Sequence, residues 1–210
     1  MYIMENLKQL GIIPVDYALL SSIFSDYKYP RNKIANLEIE SKLIRLKRSL
    51  YVVSPDVSGK LLSTELIANH IYGPSYVSME SALRYYGLIP ESVRMVRSMT
   101  TKRSRNFENS ISRFDYINCS EEYYPIGINQ KIGDDYSFLI ASPEKALCDL
   151  IAYTPKVRPR FINAMLLYLE EDIRLDMESF YKLDVNIFRH CAEVSKKKND
   201  LNNLIKLLQR

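Results

Sequence analysis

The side chains best suited by type to acid, base or metal chemistry are Asp134 and Asp135 at the start of a strand-like run, followed by the adjacent pair Glu144-Lys145. Two carboxylates and a lysine are the material of metal-dependent phosphodiester cleavage, in which the acids hold a divalent ion and a cation steadies the developing charge. The spacing argues against it. Neighbouring residues on a helix point about 100° apart, so Glu144 and Lys145 do not face one ion. They read instead as an acid near the positive end of a helix dipole and a surface cation. The sequence has no GxSxG elbow, Walker loop, HExxH or GxGxxG, and its six glycines leave little material for a phosphate-cradling loop. Cys119, Cys148 and Cys191 are an odd number without a CxxC pair, and His70 and His190 are the only histidines, so neither a disulfide framework nor a zinc site is suggested. The expectation is no catalytic residue, no metal and no cofactor.

The cations are more informative. The net charge is only +4, but residues 28–48 hold seven Lys or Arg against two Glu, and residues 84–105 hold six against one. Residues 106–154 reverse the balance, with three basic against eight acidic side chains. Segregation of this kind fits a polyanion on one surface. In the first run Arg31, Lys33, Lys42, Arg45, Lys47 and Arg48 could each neutralise a phosphate, and Arg31, Lys33 and Asn36 are of types that read base edges. In the second, Thr100, Thr101, Lys102, Arg103 and Arg105 combine hydroxyls with cations on a loop after a strand, a second candidate for binding phosphate.

The elements that must position these residues follow from the punctuation. Asp16 is placed to cap a helix over about 16–26, and Pro30 to open a second one, PRNKIANLEIESK, with Ile34, Leu37 and Ser41 inward. LIRL and LYVV then read as a hairpin around the basic tip Lys47-Arg48-Ser49. Helix, turn, helix and basic hairpin is the order of a winged helix-turn-helix, in which the second helix enters the major groove and the wing lies on the backbone. Pro55, Asp56, Ser58 and Gly59 read as a linker, giving domains of 1–60 and 61–210. The second part starts with a helix capped by Ser63 and continues into GPSYVSMESALRYYGLIP, where Ser78 caps a helix and Gly87 and Pro90 end it. Period-two patterning then predicts a mostly antiparallel sheet from VRMVRSM, NFENS, RFDYINC, EYYPIGI and YSFLIAS. Its aromatic residues Phe107, Phe114, Tyr116, Tyr123 and Tyr136 suit a half-buried pleated surface. Ser142-Pro143-Glu144 opens another helix, and helices follow from Pro159, the last running unbroken from Asn186 with the stripe Ile187, Cys191, Val194, Leu201, Leu204, Ile205 and Leu208 inward. The fold class expected is α+β: an N-terminal winged helix-turn-helix, then a mixed α+β domain ending in helices. No apolar run approaches the ~20 residues that span a bilayer, and the start MYIMENLKQL is unlike a signal peptide, so a cytoplasmic protein without a membrane partner is expected.

The wording of three stretches, YVSMESALRYYGLIPE, SVRMVRSMTTKRSR and FLIASPEKALCDL, resembles the AbiEi family of type IV antitoxins and transcriptional regulators over about residues 30–153. The resemblance implies a winged helix-turn-helix that represses its own operon, with operator DNA as partner. It also implies a second domain, containing Thr100 to Arg105, that opposes a nucleotidyltransferase-like toxin without a stable complex. The family usually carries Gly where Ser49 stands, which leaves the turn at the wing tip open, because Ser tolerates positive φ less well than Gly. One winged domain offers few contacts, so specificity would call for a dimer or two copies on adjacent half-sites. The alternatives are a plain winged-helix regulator without a toxin, and a nuclease-like enzyme.

Overall fold

A computed structural model of the chain describes residues 2–90, 95–155, 157 and 159–210. The N-terminal part runs α1 (Tyr2–Leu10), β1 (Val15–Asp16), α2 (Tyr17–Ile23), α3 (Pro30–Ile39), β2 (Leu43–Lys47) and β3 (Leu50–Val53). Asp16 caps α2 as its type predicts, accepting the Leu19 amide at 2.8 Å, and Pro30 stands in the first turn of α3, where its missing N–H costs nothing. Ser41, expected inward, is exposed with φ 56, because α3 stops at Ile39 and the chain must turn sharply into β2. The strand order is β1-β3-β2, all antiparallel, so the predicted hairpin gains a third strand from the segment before α2. Ser49 takes φ 61, so the left-handed position that Gly would occupy without strain is here filled by Ser. Leu7, Leu20, Phe24, Ile34, Leu37, Leu43, Tyr51 and Val53 close a small core between the helices and one face of the hairpin.

The segment read as a linker is a helical turn, α4 (Pro55–Ser58), ended by Gly59 at φ 71. Val57 is buried in the small core, which is why the turn is ordered. The second part opens with α5 (Thr64–Ile71), whose Ser63 cap accepts the Leu66 amide at 3.1 Å. It continues with β4 (Ser75–Val77), α6 (Met79–Tyr85), β5 (Met95–Thr100), β6 (Arg105–Glu108), β7 (Arg113–Asn118), β8 (Ile128–Ile132) and β9 (Ser137–Ala141). Val93 and Arg94, expected to begin β5, lie outside the described residues. Six strands form one mixed sheet in the order β6-β7-β5-β4-β9-β8. The β6/β7, β4/β5 and β8/β9 pairs are antiparallel, while β5/β7 and β4/β9 are parallel. Two expectations change here. Ser75–Val77, unassigned by patterning because three residues show no period, is a central strand. Glu122–Tyr124, expected as strand, is a turn, and the strand lies just beyond it in Ile128–Ile132. The shift follows from Gly127, whose φ of 62 reverses the chain and whose missing side chain admits Lys145 and Ile187 so closely that a Cβ would stand 3.0 Å from each.

The helices α7 (Pro143–Tyr153), α8 (Ile162–Leu167), α9 (Met177–Phe180), α10 (Val185–Val194) and α11 (Lys198–Leu208) complete the second part, with a π turn over Tyr168–Asp172. The long final helix expected from the sequence is two helices. Ser195 leaves helical geometry, and Lys197 reaches back to the carbonyls of Ile151, Thr154 and Val157 at the end of α7. The break rotates the stripe: Phe188, Cys191, Leu201, Leu204 and Leu207 are buried, while Val194 is 38% exposed. The chain is thus α+β, with a mixed sheet and a C-terminal helical group. No helix among the described residues is long and apolar enough to cross a membrane.

The hairpin β2–β3 belongs to both parts. Leu43, Tyr51 and Val53 face the small core, and Leu46, Leu50 and Val52 face the large one, where they join Ile67, Ile71 and Tyr76. Lys47 Nζ donates to the Ile71 carbonyl at 2.6 Å and Asn109 Nδ2 to that of Leu46 at 3.1 Å.

Candidate nucleic-acid interface

Because Ile34 and Leu37 are held in the small core, the helical period turns Arg31, Asn32, Ala35, Asn36 and Ile39 outward, and all five are exposed. Lys33 lies to one side, 5.6 Å from the centroid of the Tyr27 ring. Of the seven N-terminal residues nominated by type, two cations are neutralised locally. Lys42 pairs with Glu40 and Arg45 with Glu38, each at 2.6 Å. Burial, then the like charges of Lys102 and Arg105, holds the Lys47 amine below its ordinary pKa. Lys47 is half-buried against the second part instead of standing free at the hairpin tip.

A cleft between α3 and the hairpin is lined by Tyr17, Arg31, Ile34, Ala35, Arg45, Arg48, Ser49 and Tyr51. It carries three guanidinium groups and no carboxylate. Arg45 also sits 5.5 Å from the Tyr51 ring centroid, so its plane is steadied by both Tyr51 and Glu38. On the other side of the hairpin a second cleft includes Arg45, Lys47 and Arg48 but also Glu38 and Glu108, which lessens its attraction for an anion. Arg48 borders both.

The second basic run is brought to the same neighbourhood, although about 55 residues separate it from the first. The Thr100 hydroxyl is structural. Thr100 is fully buried and donates to the Pro74 carbonyl at 2.7 Å, and the Thr101 carbonyl accepts from Asn118 Nδ2 at 3.1 Å. The loop is therefore fixed, with Ser104 Oγ accepting the Asn118 amide and the Arg103 carbonyl accepting the Tyr72 hydroxyl. Lys102 donates to the Gly73 carbonyl and lies 5.5 Å from the Tyr72 ring centroid, with Arg105 5.8 Å from it. Lys102 and Arg105 thus lie over one aromatic ring, with Lys47 near them on the neighbouring Ile71 carbonyl. Arg103 and Arg105 are exposed.

Residues that the type-and-spacing reading missed form the polar centre of the second part. Lys145 and Asp149, both 0% exposed, lie one helical turn apart on α7 with Nζ 3.3 Å from Oδ1. Asp149 Oδ2 accepts from Tyr76 at 3.0 Å and from Ser78 at 2.5 Å. Lys145 Nζ donates to the Tyr123 carbonyl at 2.9 Å and lies 3.1 Å from the ring centroid of the same tyrosine. Burial pushes the Asp149 carboxyl above the usual carboxylate range, and Lys145 with the hydroxyls of Ser78 and Tyr76 draws it back. Ser78 therefore does not cap α6; Met79 enters the helix at φ 52, and the Ser78 hydroxyl is directed to Asp149. The available signal was the (i, i+4) Lys-Asp pair on a helix that is apolar beyond Glu144 in its first turn.

The acids considered for metal chemistry do not converge. Asp135 is exposed and paired with Lys60, Glu144 accepts the Asp184 amide, and Lys145 faces the interior. Among the described residues no group of three or more His, Cys, Asp or Glu side chains is arranged to hold a metal ion.

No protein-family model matches the chain, and no curated protein matches it. Among solved structures, the RV2827C protein from Mycobacterium tuberculosis is similar in fold, with a TM-score of 0.54 at 9% identity over 99% of this chain and 80% of that one. At that identity the likeness concerns the fold alone.

Proposed function

We propose that the N-terminal part is a winged helix-turn-helix that binds operator DNA in the cytoplasm, and that the whole chain is a type IV antitoxin, repressing its own operon and counteracting a nucleotidyltransferase-like toxin. The observation that carries the DNA reading is the cleft lined by Arg31, Arg45 and Arg48, with Glu38 holding Arg45 from outside the lining. Beside it α3 offers Arg31, Asn32 and Asn36 for base edges and Ala35 and Ile39 for the methyl groups of thymine. Lys47, Lys102 and Arg105 extend the positive surface onto the second part, so that phosphates beyond the reach of α3 are also met by cations. The antitoxin part of the reading rests on the resemblance to the AbiEi family.

Arg31→Glu with Arg48→Glu is expected to weaken binding to the protein's own promoter by at least tenfold and to make its salt dependence shallower, by roughly 0.9 in the log-log slope for each phosphate no longer neutralised. Lys42→Gln, at a cation already paired with Glu40, should change the slope little. Titrations by fluorescence anisotropy across a salt series measure both, and an unchanged slope in the double variant would remove α3 and the hairpin tip from the interface. Growth on co-expression with a neighbouring nucleotidyltransferase gene tests the second half. Rescue supports an antitoxin, whereas promoter repression without rescue leaves a plain regulator.

A further inference from the structure

A second cationic site lies at the helical end of the molecule and shares no residue with the α3 cleft. Arg160, Phe161, Lys196, Lys197, Lys198, Asn199 and Asp200 line a cleft where the chain entering α8 meets the start of α11. Its walls are tied together: Asn203 Nδ2 donates to the Pro159 carbonyl at 3.1 Å, and Lys197 Nζ to that of Val157 at 2.9 Å. Arg160, Lys196 and Lys198 are exposed, and Asp200 is the one acid against four cations in the lining. Phe161, immediately beside Arg160, is 73% exposed, an unusual position for a large apolar ring in a charged cleft.

Exposed cations lining one cleft with an open aromatic ring match a single-stranded nucleic acid: phosphates meet Arg160, Lys196 and Lys198 and an unpaired base stacks on the ring. A duplex would satisfy the cations but keeps its bases stacked on each other, leaving Phe161 unused. An acidic peptide would likewise leave the ring without a flat partner. We propose that this cleft is a binding site for single-stranded RNA or DNA, separate from the duplex-binding surface. Its recognition is sequence-tolerant, because every base has a π face.

The test uses the full chain carrying Arg31→Glu and Arg48→Glu, so that the α3 cleft does not contribute. Labelled oligo(dT) and oligo(U) of about 15 nucleotides, within the range of site sizes for single-strand binders, are titrated at low salt. Binding of one or both is expected to persist in this background. Arg160→Glu with Lys196→Glu and Lys198→Glu should then reduce affinity at least tenfold and flatten the log-log salt slope by roughly 0.7 for each phosphate left without its cation. Phe161→Ala alone should weaken binding by between about fivefold and a hundredfold, the range for loss of one stacked base. All of these positions are exposed, and circular dichroism verifies that the variants stay folded. Failure of the background protein to bind either oligonucleotide would overturn the site. So would binding unaffected by Phe161→Ala, equal binding to a duplex of the same length, or displacement by polyglutamate as effective as by unlabelled oligonucleotide. Since promoter binding is measured separately on the α3 variants, either site can fail without the other.

Discussion

Asp149→Leu is expected to destabilise the protein by about 3–5 kcal/mol, the cost of leaving one member of a buried ion pair without its counter-charge. The side chain of Lys145 is fully buried, and the Tyr123 carbonyl and ring that also hold it carry no net charge to balance the ammonium. Tyr76 and Ser78 would lose their common acceptor at the same time. Urea unfolding of Asp149→Leu, of Lys145→Met and of the double variant forms the cycle. The double variant should recover most of the loss, because both charges are then gone and apolar groups of similar volume replace them. If Asp149→Leu costs less than about 1 kcal/mol, the pair does not organise the core. The pH dependence has a defined sign. A native carboxyl raised above its unfolded value near 3.8 keeps its proton to higher pH than the unfolded chain does. Its contribution is complete below that value and declines as pH rises through the native one. The stability advantage of the wild type over Asp149→Asn should therefore be larger near pH 4 than near pH 7, and an advantage that grows with pH would contradict the assigned shift.

A fragment of residues 61–210 is expected to be substantially less stable than the same segment within the full chain. Removing residues 1–60 takes Leu46, Leu50 and Val52 from the large core, each worth about 1.5–3 kcal/mol if fully buried against it. It also removes Lys47 from the Ile71 carbonyl and strips the Leu46 carbonyl from Asn109. Ile67 and Ile71, which the hairpin covers, would meet water. A lowered unfolding midpoint together with binding of a hydrophobic dye is the expected result. A fragment as stable as the parent segment would show that the hairpin rests on the second part without supporting it. The same coupling bears on function, because a hairpin built into both cores cannot move independently of the loop that carries Lys102 and Arg105. Promoter binding and toxin rescue should accordingly be compared in the full chain, by substitution, and not by truncation alone.

Local chemistry alone determined where several helices begin. Asp16, Ser63 and Ser142 cap because an oxygen at that position satisfies an amide with no other partner, and no distant residue is needed for that. The exposure of Arg31 and Asn36 on one side of α3 was legible for a similar reason, since burying Ile34 and Leu37 fixes the rotation of the helix. The hairpin between LIRL and LYVV was legible from its basic tip, but its third strand was not. A two-residue strand, Val15–Asp16, has no pattern of its own and exists only because β3 offers it an edge. Nor could spacing reveal that Ser78 would prefer Asp149 to a capping amide, because the two are brought together by β4 and α6 packing against α7, 71 residues further along the chain. The break at Ser195 depends likewise on carbonyls at the end of α7 that draw in Lys197. Among the cations, sequence supplied the charge and tertiary structure sorted it. Glu38 and Glu40 neutralise Arg45 and Lys42, whereas Lys47 is brought near Lys102 and Arg105 because the two cores share one hairpin, and a shared hairpin is a property of packing that no local window contains.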